Sequence, residues 1–269
     1  MSYDETMLTV ANLCEFLDQF APPALAAEWD NIGLLVGDRA QRVGRLMTCL
    51  TITPAAAAEA IRERADLIVT HHPLPFRPFQ RLTTDEPSGR ILLDLIRAGI
   101  AIHSPHTAFD SAAAGINQQL AEGMGLTAIE PLEPAELGPA TAGTGRTGRF
   151  AQLTTLGQAA AGLKQFLKLG GLQVVGNLQT PIERVSIACG SAGELLRLAI
   201  ERKCQLFVTG ETNLHTCYDA AARGIALLLV GHYASERFGV ERLAETIAGQ
   251  FPALTVWASR DERDPLTWL

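Results

Sequence analysis

Cysteine is scarce and unpatterned: five residues, at 14, 49, 189, 204 and 217, with no CxxC pair. An odd number at irregular spacing argues against a disulfide framework and a thiolate metal site, and suits free thiols in a reducing compartment. No Lys/Arg cluster appears, and acidic residues outnumber basic ones 29 to 22. The resulting charge of -7 gives no basic footprint for duplex nucleic acid. No apolar run approaches the ~20 residues of a membrane span. The longest, 225–230, has the length of a buried strand. The opening MSYDETM is acidic and lacks the apolar stretch of a secretion signal. A cytoplasmic protein is the expectation. What remains is an ordinary globular composition, 47% hydrophobic and 19% charged over 269 residues. That suffices for one large or two small domains.

Strand-like runs alternate with Ala/Leu-rich helical stretches. Strands are expected at 46–52, 66–70 and 100–104, with helices at 54–64 and 88–98 and a further helix running to 124. The order repeats with strands at 185–189, 205–209 and 225–230 and helices at 192–203, 214–223 and 238–249. Such alternation predicts parallel α/β packing in three layers. The repetition extends to residues. RADLIVTHH matches KCQLFVTGE at an offset of 139, and LMTCLT matches VSIACG at the same offset. RAGIAIHSPHTAFD matches ARGIALLLVGHYASE at an offset near 125. An internal duplication, 46–131 against 185–258, follows. Between the halves, 131–150 is rich in Pro, Gly and Thr and reads as a loop or linker. It contains Gly143-x-Gly145-x-x-Gly148, formally a dinucleotide fingerprint. That motif should follow a strand and open a helix, which this one does not, so a nucleotide cofactor is not expected.

Three expected strands end in histidine: DLIVT runs into His71-His72-Pro73, IAIHSP into His106-Thr-Ala-Phe-Asp110, and ALLLVG into His232-Tyr-Ala-Ser-Glu236. Carboxyl ends of parallel strands are where α/β sheets bind ligands. Neighbours on a regular strand point to opposite faces, so His71 and His72 share a site only where the strand has ended. Pro73 supports that ending. The other two motifs are both His-x-x-x-acid, which places imidazole and carboxylate on one face at a helix start. Six candidate ligands, His71, His72, His106, Asp110, His232 and Glu236, are too many for one catalytic zinc and suit two ions sharing a carboxylate. Imidazole and carboxylate without thiolate fit Zn, Mn, Fe, Co or Ni. His106 stands between ligand and supporting donor. His103 lies inside a strand and reads as a core residue. His215, after VTGET, is a candidate proton donor lining the cleft or a helix-surface histidine. Cys189-Gly-Ser191-Ala-Gly193 resembles a nucleophile elbow but lacks its first glycine and an oxyanion motif. A glycine turn is the better reading.

VTHHP, HTAFD and GHYASE, with Glu28-Trp29-Asp30-Asn31-Ile-Gly33 near the start, resemble the Nif-three-like dinuclear-metal family, also described as GTP cyclohydrolase 1 type 2 homologues. GTGRTGRF, QVVGN, ACGSAGE and VTGETNLH fall where that family has similar segments. The chain is too short for the extra central domain of longer members. The resemblance implies two interlinked α/β domains of similar topology, a ring-shaped homohexamer, and two metal ions facing an internal cavity. It carries the metal ligands onto His71, His72, Asp110, His232 and Glu236, with Glu236 bridging. His106 then stands near the metals. VTGETNLH departs from the pattern: relatives often pair two histidines with the acid, and here only His215 remains. The C-terminal segment is assigned back to the first domain, giving 1–128 plus 229–269, and 129–228. The implied activity is a metal-dependent hydrolase opening the guanine imidazole ring of GTP. Arg77, Arg81 and Arg146 are the arginines at hand for a phosphate. The alternatives are a dinuclear hydrolase of another bond, such as a phosphoester, and a non-catalytic metal-binding scaffold.

Overall fold

The computed structural model describes residues 8–267. In chain order the strands are β1 (Gly33–Val36), β2 (Arg45–Cys49), β3 (Leu67–Thr70), β4 (Ala101–Ser104), β5 (Leu126–Glu130), β6 (Glu133–Pro134), β7 (Gly143–Thr144), β8 (Arg146–Thr155), β9 (Gln173–Val175), β10 (Pro181–Ser191), β11 (Leu206–Glu211), β12 (Ala226–Leu229) and β13 (Thr255–Ala258). The helices are α1 (Val10–Phe20), α2 (Pro54–Arg62), α3 (Pro87–Arg97), α4 (His106–Ser111), α5 (Ile116–Gly123), α6 (Leu156–Leu167), α7 (Leu196–Glu201), α8 (Leu214–Arg223) and α9 (His232–Gln250). Two compact units emerge. The first runs to Phe109 and resumes over Gly239–Arg263; the second holds Asp110–Phe238 and the chain from Asp264. These divisions fall inside α4 and α9, rather than at 128/129 and 228/229.

The first unit is a five-stranded sheet in the order β1-β4-β3-β2-β13. Only β1 is antiparallel. Alternation of side chains splits the strands between two faces. Met47, Cys49, Ile68 and Ile102 pack on Ala56, Ala57 and Ala60 of α2 and Leu92 and Leu95 of α3. On the opposite face Thr48 Oγ1 donates to the Val240 carbonyl of α9, and buried His103 sits 3.9 Å from Asp18 of α1. His103 is thus inside β4 and packed in the core. Helix α2 begins where Thr53 accepts the Ala56 amide, with Pro54 at the first helical position. The C-terminal segment is clamped by two carboxylates. Glu59 accepts from Trp257 Nε1, Ser259 Oγ and the amides of Arg260 and Asp261. Glu262 accepts from the amides of Leu50 and Thr51.

The second unit is a six-stranded sheet in the order β5-β8-β10-β11-β12-β9, with β10, β11 and β12 parallel and the outer strands antiparallel. One face packs Val185, Ile187, Leu206, Val208 and Leu228 on Leu120 of α5 and Leu163 of α6. The other packs Ala188, Phe207, Leu227 and Leu229 on Leu196 and Ala199 of α7 and Ala220 of α8. Each sheet therefore has helices on both faces, as the parallel pattern predicts. The duplication is visible in topology. β1-β4-β3-β2 and β9-β12-β11-β10 share one strand order, each with a single antiparallel pairing at the β1 or β9 edge.

Several expectations need correction. Residues 131–150 are not one linker. β6 and β7 pair as a short ribbon, and β8 joins β5 and β10 in the main sheet. The glycines there do mark turns, since Gly143 and Gly145 hold positive φ, but sheet pairing overrides the loop-like composition around them. Arg146 is no phosphate arginine. It is fully buried and donates to the carbonyls of Gly143, Gly145 and Ala112 and to Gln118 Oε1. Burial lowers its pKa to about 10. The helix expected to run to 124 is two helices, α4 and α5, and the one expected at 192–203 is α7 after a 3-10 turn at Gly193–Leu195. Helix α9 begins at His232, six residues earlier than expected. Arg77 and Arg81 are exposed.

Candidate metal centre

In the first unit, β3 ends at Thr70, yet the His71 and His72 amides still donate to the carbonyls of Cys49 and Leu50. The pair is thus held as firmly as strand residues while lying past the last regular pairing. Ser104 Oγ fixes the His71 carbonyl at 2.6 Å. His71 is buried and His72 half-buried. Thr51 Oγ1 shares a 2.7 Å hydrogen bond with His72 Nδ1, which leaves Nε2 as the nitrogen for a ligand. The third imidazole comes from His106, which opens α4 at a positive φ of 26°. A positive φ in a non-glycine residue is strained and persists only where the surrounding structure holds it. His71, His72 and His106 bring one ring nitrogen each within 4.8 Å of the others, a spacing that can hold a metal ion.

Asp30 is the residue that sequence reasoning missed. Its side chain has no solvent exposure, and His106 Nδ1 donates to it at 2.7 Å. The amide and hydroxyl of Thr107 donate to its other oxygen. Burial alone would raise this carboxyl, but the hydrogen bonds from His106 and Thr107 overcome that and hold it down at about 2. A carboxylate on the far nitrogen of a histidine fixes its tautomer and ring orientation. The signal was in the text of the sequence: Asp30 lies in the EWDN motif, but 76 residues from His106, where no local rule connects them.

In the second unit, His232 opens α9 and Glu236 follows one turn later. Their Nε2 and Oε2 are 3.2 Å apart, as the His-x-x-x-acid spacing predicted. His232 Nδ1 meets Glu211 Oε1 at 2.9 Å. The hydrogen bond that His232 donates to Glu236 chiefly, with Glu211 adding to it, raises His232 to a pKa of about 9 against its burial. A carboxylate oxygen of Asp110 lies within 4.8 Å of one from Glu236. Asp110 also accepts from the Cys189 thiol at 3.1 Å. Burial, then the negative charges of Asp110 and Glu236, push that thiol well up, so it stays protonated and is a donor here rather than a thiolate ligand. Glu211 and Cys189 are further residues the sequence reading did not place at the site. His215 is exposed in the first turn of α8.

Two glycines admit this packing. Gly190, at φ +66°, leaves no room for a Cβ, which would collide with the Glu236 carboxylate. A Cβ on Gly210 would lie 2.7 Å from Ser235 Oγ and 3.0 Å from the His232 Cα. Ser235 locks the corner, accepting from the Gly190 amide and donating to the His232 carbonyl. The CGSAG segment is therefore the end of β10 and the start of the 3-10 turn, and its first glycine makes room for Glu236.

The first unit thus presents three imidazoles able to hold a metal ion, the second an imidazole beside carboxylates, and none of the five cysteines is in a disulfide. Among the described residues no helix is long and apolar enough to cross a membrane.

Known proteins resemble the chain in sequence and fold. The chain is 31% identical to the GTP cyclohydrolase 1 type 2 homolog of Lactococcus lactis, over 92% of this chain and 95% of that one. It is 31% identical to NIF3-like protein 1 of Drosophila melanogaster, over 96% and 88%. A Staphylococcus aureus protein of known structure superposes with a TM-score of 0.89 at 26% identity, over 99% and 100%. A Bacillus cereus protein related to NIF3 does so at 0.90 and 22%, over 98% and 100%, which speaks for the fold alone. The profile of the Duf34/NIF3 (NGG1p interacting factor 3) family matches residues 8–265, and the chain belongs to that family.

Proposed function

We propose that the chain is a metal-dependent hydrolase using two divalent ions. His71, His72, Asp110, His232 and Glu236 would be the ligands, Glu236 bridging and His106 beside them. The observation that carries this reading is the trio of His71, His72 and His106 at one strand end, within 4.8 Å of each other. Three imidazoles brought together this way have little use in a core, where each would need its own hydrogen-bond partners. The donor chemistry fits: nitrogen and oxygen suit Zn, Mn, Fe, Co or Ni, and the one nearby thiol is kept protonated.

Divalent ions held there would supply Lewis acidity and a water acidic enough to attack at neutral pH. The residues do the rest. Thr51 and Asp30 set which ring nitrogen His72 and His106 offer. His232 carries a proton at neutral pH that an incoming cation must displace. His215, at the start of α8, is the candidate proton donor. The reaction we propose is opening of the guanine imidazole ring of GTP, supported by relatives named GTP cyclohydrolase 1 type 2 homolog. We further propose a ring-shaped homohexamer, in keeping with the family, in the cytoplasm, where cysteines without disulfides are at home.

The test is metal-loaded protein assayed for formate release from GTP and against a panel of phosphoesters, beside the His71→Ala/Glu236→Ala double variant. GTP turnover lost in the variant is the expected result. Turnover of a phosphoester alone would move the assignment to a different bond. Turnover equal in the variant would end the metal-centre mechanism, and no turnover of any substrate would favour a scaffold. Native mass spectrometry tests the hexamer, and a stable monomer would overturn it.

A further inference from the structure

The rim of the histidine trio carries two aromatic rings that the proposed chemistry does not use. Trp29 is 65% exposed and Phe76 is 45% exposed. Their centroids are 6.0 Å apart, and each packs edge-on against His106, at 6.1 and 6.2 Å. Exposed aromatic surface of this size has to be explained, since these rings would gain most from burial. Neither of these Trp29 contacts is a face-to-face stack, and about two-thirds of the residue stays exposed.

The rings are also held in place. Asn31 Nδ2 donates to the Pro75 carbonyl at 2.7 Å, tying the Trp29 segment to the Phe76 segment. The Ala27 amide donates to Thr107 Oγ1, and buried Asp30, next to Trp29, anchors His106. The residue that orients the histidine is thus covalently adjacent to the exposed indole. Rigid, exposed aromatic surface is what a recognition site needs, because little freedom is lost on binding.

We infer that Trp29 and Phe76 form a stacking wall for a flat heteroaromatic ring of the ligand. Stacking on aromatic side chains recognises nucleobases with little dependence on base identity. The inference rests on the proposed function for the reaction, though not for the binding. The wall would position a ring beside the imidazoles, and selection among rings would fall to other groups.

The probes are guanosine, adenosine and ribose 5-phosphate, titrated calorimetrically into metal-loaded wild type, Trp29→Leu, Trp29→Phe and Phe76→Leu. Both nucleosides are expected to bind and ribose 5-phosphate to bind at least ten-fold more weakly. Trp29→Leu should weaken nucleoside binding by about ten-fold or more, while Trp29→Phe stays within about three-fold of wild type. Phe76→Leu gives a smaller loss and guards against a folding defect in the first variant. In GTP turnover the Leu variants should raise KM with kcat retained. Undiminished nucleoside binding in both Leu variants, equal binding of ribose 5-phosphate, or no binding of either nucleoside would overturn the inference. Nucleoside binding lost in Trp29→Leu but without any turnover leaves the wall standing and removes the hydrolase. Turnover with unchanged KM in both Leu variants does the reverse.

Discussion

The two units carry the same four-strand arrangement and use its ends differently. After β3 the first unit places His71-His72, and at the matching positions, the last two of β11, the second places Gly210-Glu211. After the third strand both place a histidine opening a helix, His106 and His232, with an acid four residues on. The duplicated scaffold thus kept its strand-end histidine and changed its partners. His106 turns Nδ1 to a distant Asp30, whereas His232 turns Nδ1 to Glu211 on the neighbouring strand. The first unit gathers three imidazoles at one strand end; the second sets one imidazole among carboxylates.

The largest effect expected is on metal binding itself. If both ends serve one metal pair, Glu236→Ala should empty the protein as fully as His71→Ala, each by far more than the roughly 10- to 100-fold typical of a supporting residue. Metal content after dialysis, read by mass spectrometry, decides this. Full occupancy in Glu236→Ala would mean that the imidazoles of the first unit act alone, and the comparison would become one of a working end and a vestigial one.

Next comes the glycine corner of the second unit. Gly190 and Gly99 have nearly the same φ, +66° and +70°. A Cβ at Gly99 meets nothing within 4 Å, whereas one at Gly190 strikes Glu236. Gly99→Ala should therefore cost only the backbone strain, about 1–2 kcal/mol, and Gly190→Ala about 2–4 kcal/mol with loss of metal. Thermal melts of the two variants measure the difference. Equal losses would show that the packing around Glu236 yields easily.

A smaller effect should follow from Asp30→Asn. The amide keeps the shape but removes the charge that orients His106, so metal affinity should fall about 10- to 100-fold with ligands intact. Competition with a chelator dye reads this directly. An unchanged affinity would confine Asp30 to the fold.

These contrasts also show what a sequence discloses. The α/β alternation, the duplication and the histidine strand ends were legible because each is local: a period of two, a repeated offset, a motif of five residues. The pairing of His232 with Glu236 was legible for the same reason. The partners that orient these groups were not. Asp30 reaches His106 across 76 positions, Glu211 reaches His232 across 21, and Cys189 reaches Asp110 across 79. The strands within 131–150 were missed because Gly and Pro at its turns outweighed strand signals that only pairing with β5 and β10 makes decisive. Arg146 read as a surface cation because burial of a guanidinium depends on carbonyls that its own neighbours present.

The smallest effect separates how the first unit is fastened from how it works. Glu59 is buried and accepts from four donors of the 257–261 segment, none of them a histidine. Burial alone would raise its pKa, but the hydrogen bonds from Ser259, Arg260, Asp261 and Trp257 outweigh this and lower it. A carboxylate lowered on folding adds stability that is fully present above the ordinary glutamate value, about 4.3. That stability is lost as pH falls through the lowered folded value. Glu59→Gln keeps the size but meets amide donors with a weaker acceptor, so it should cost about 1–2 kcal/mol at neutral pH. Below pH 4 the gap between wild type and variant should close, because wild type is then losing the same charge. Urea melts from pH 7 down to 3 follow the gap, and metal content at pH 7 should match wild type. A gap that stays constant to pH 3 would show that Glu59 acts by shape alone. A loss of metal at pH 7 would show that the clamp and the histidine end are one structure.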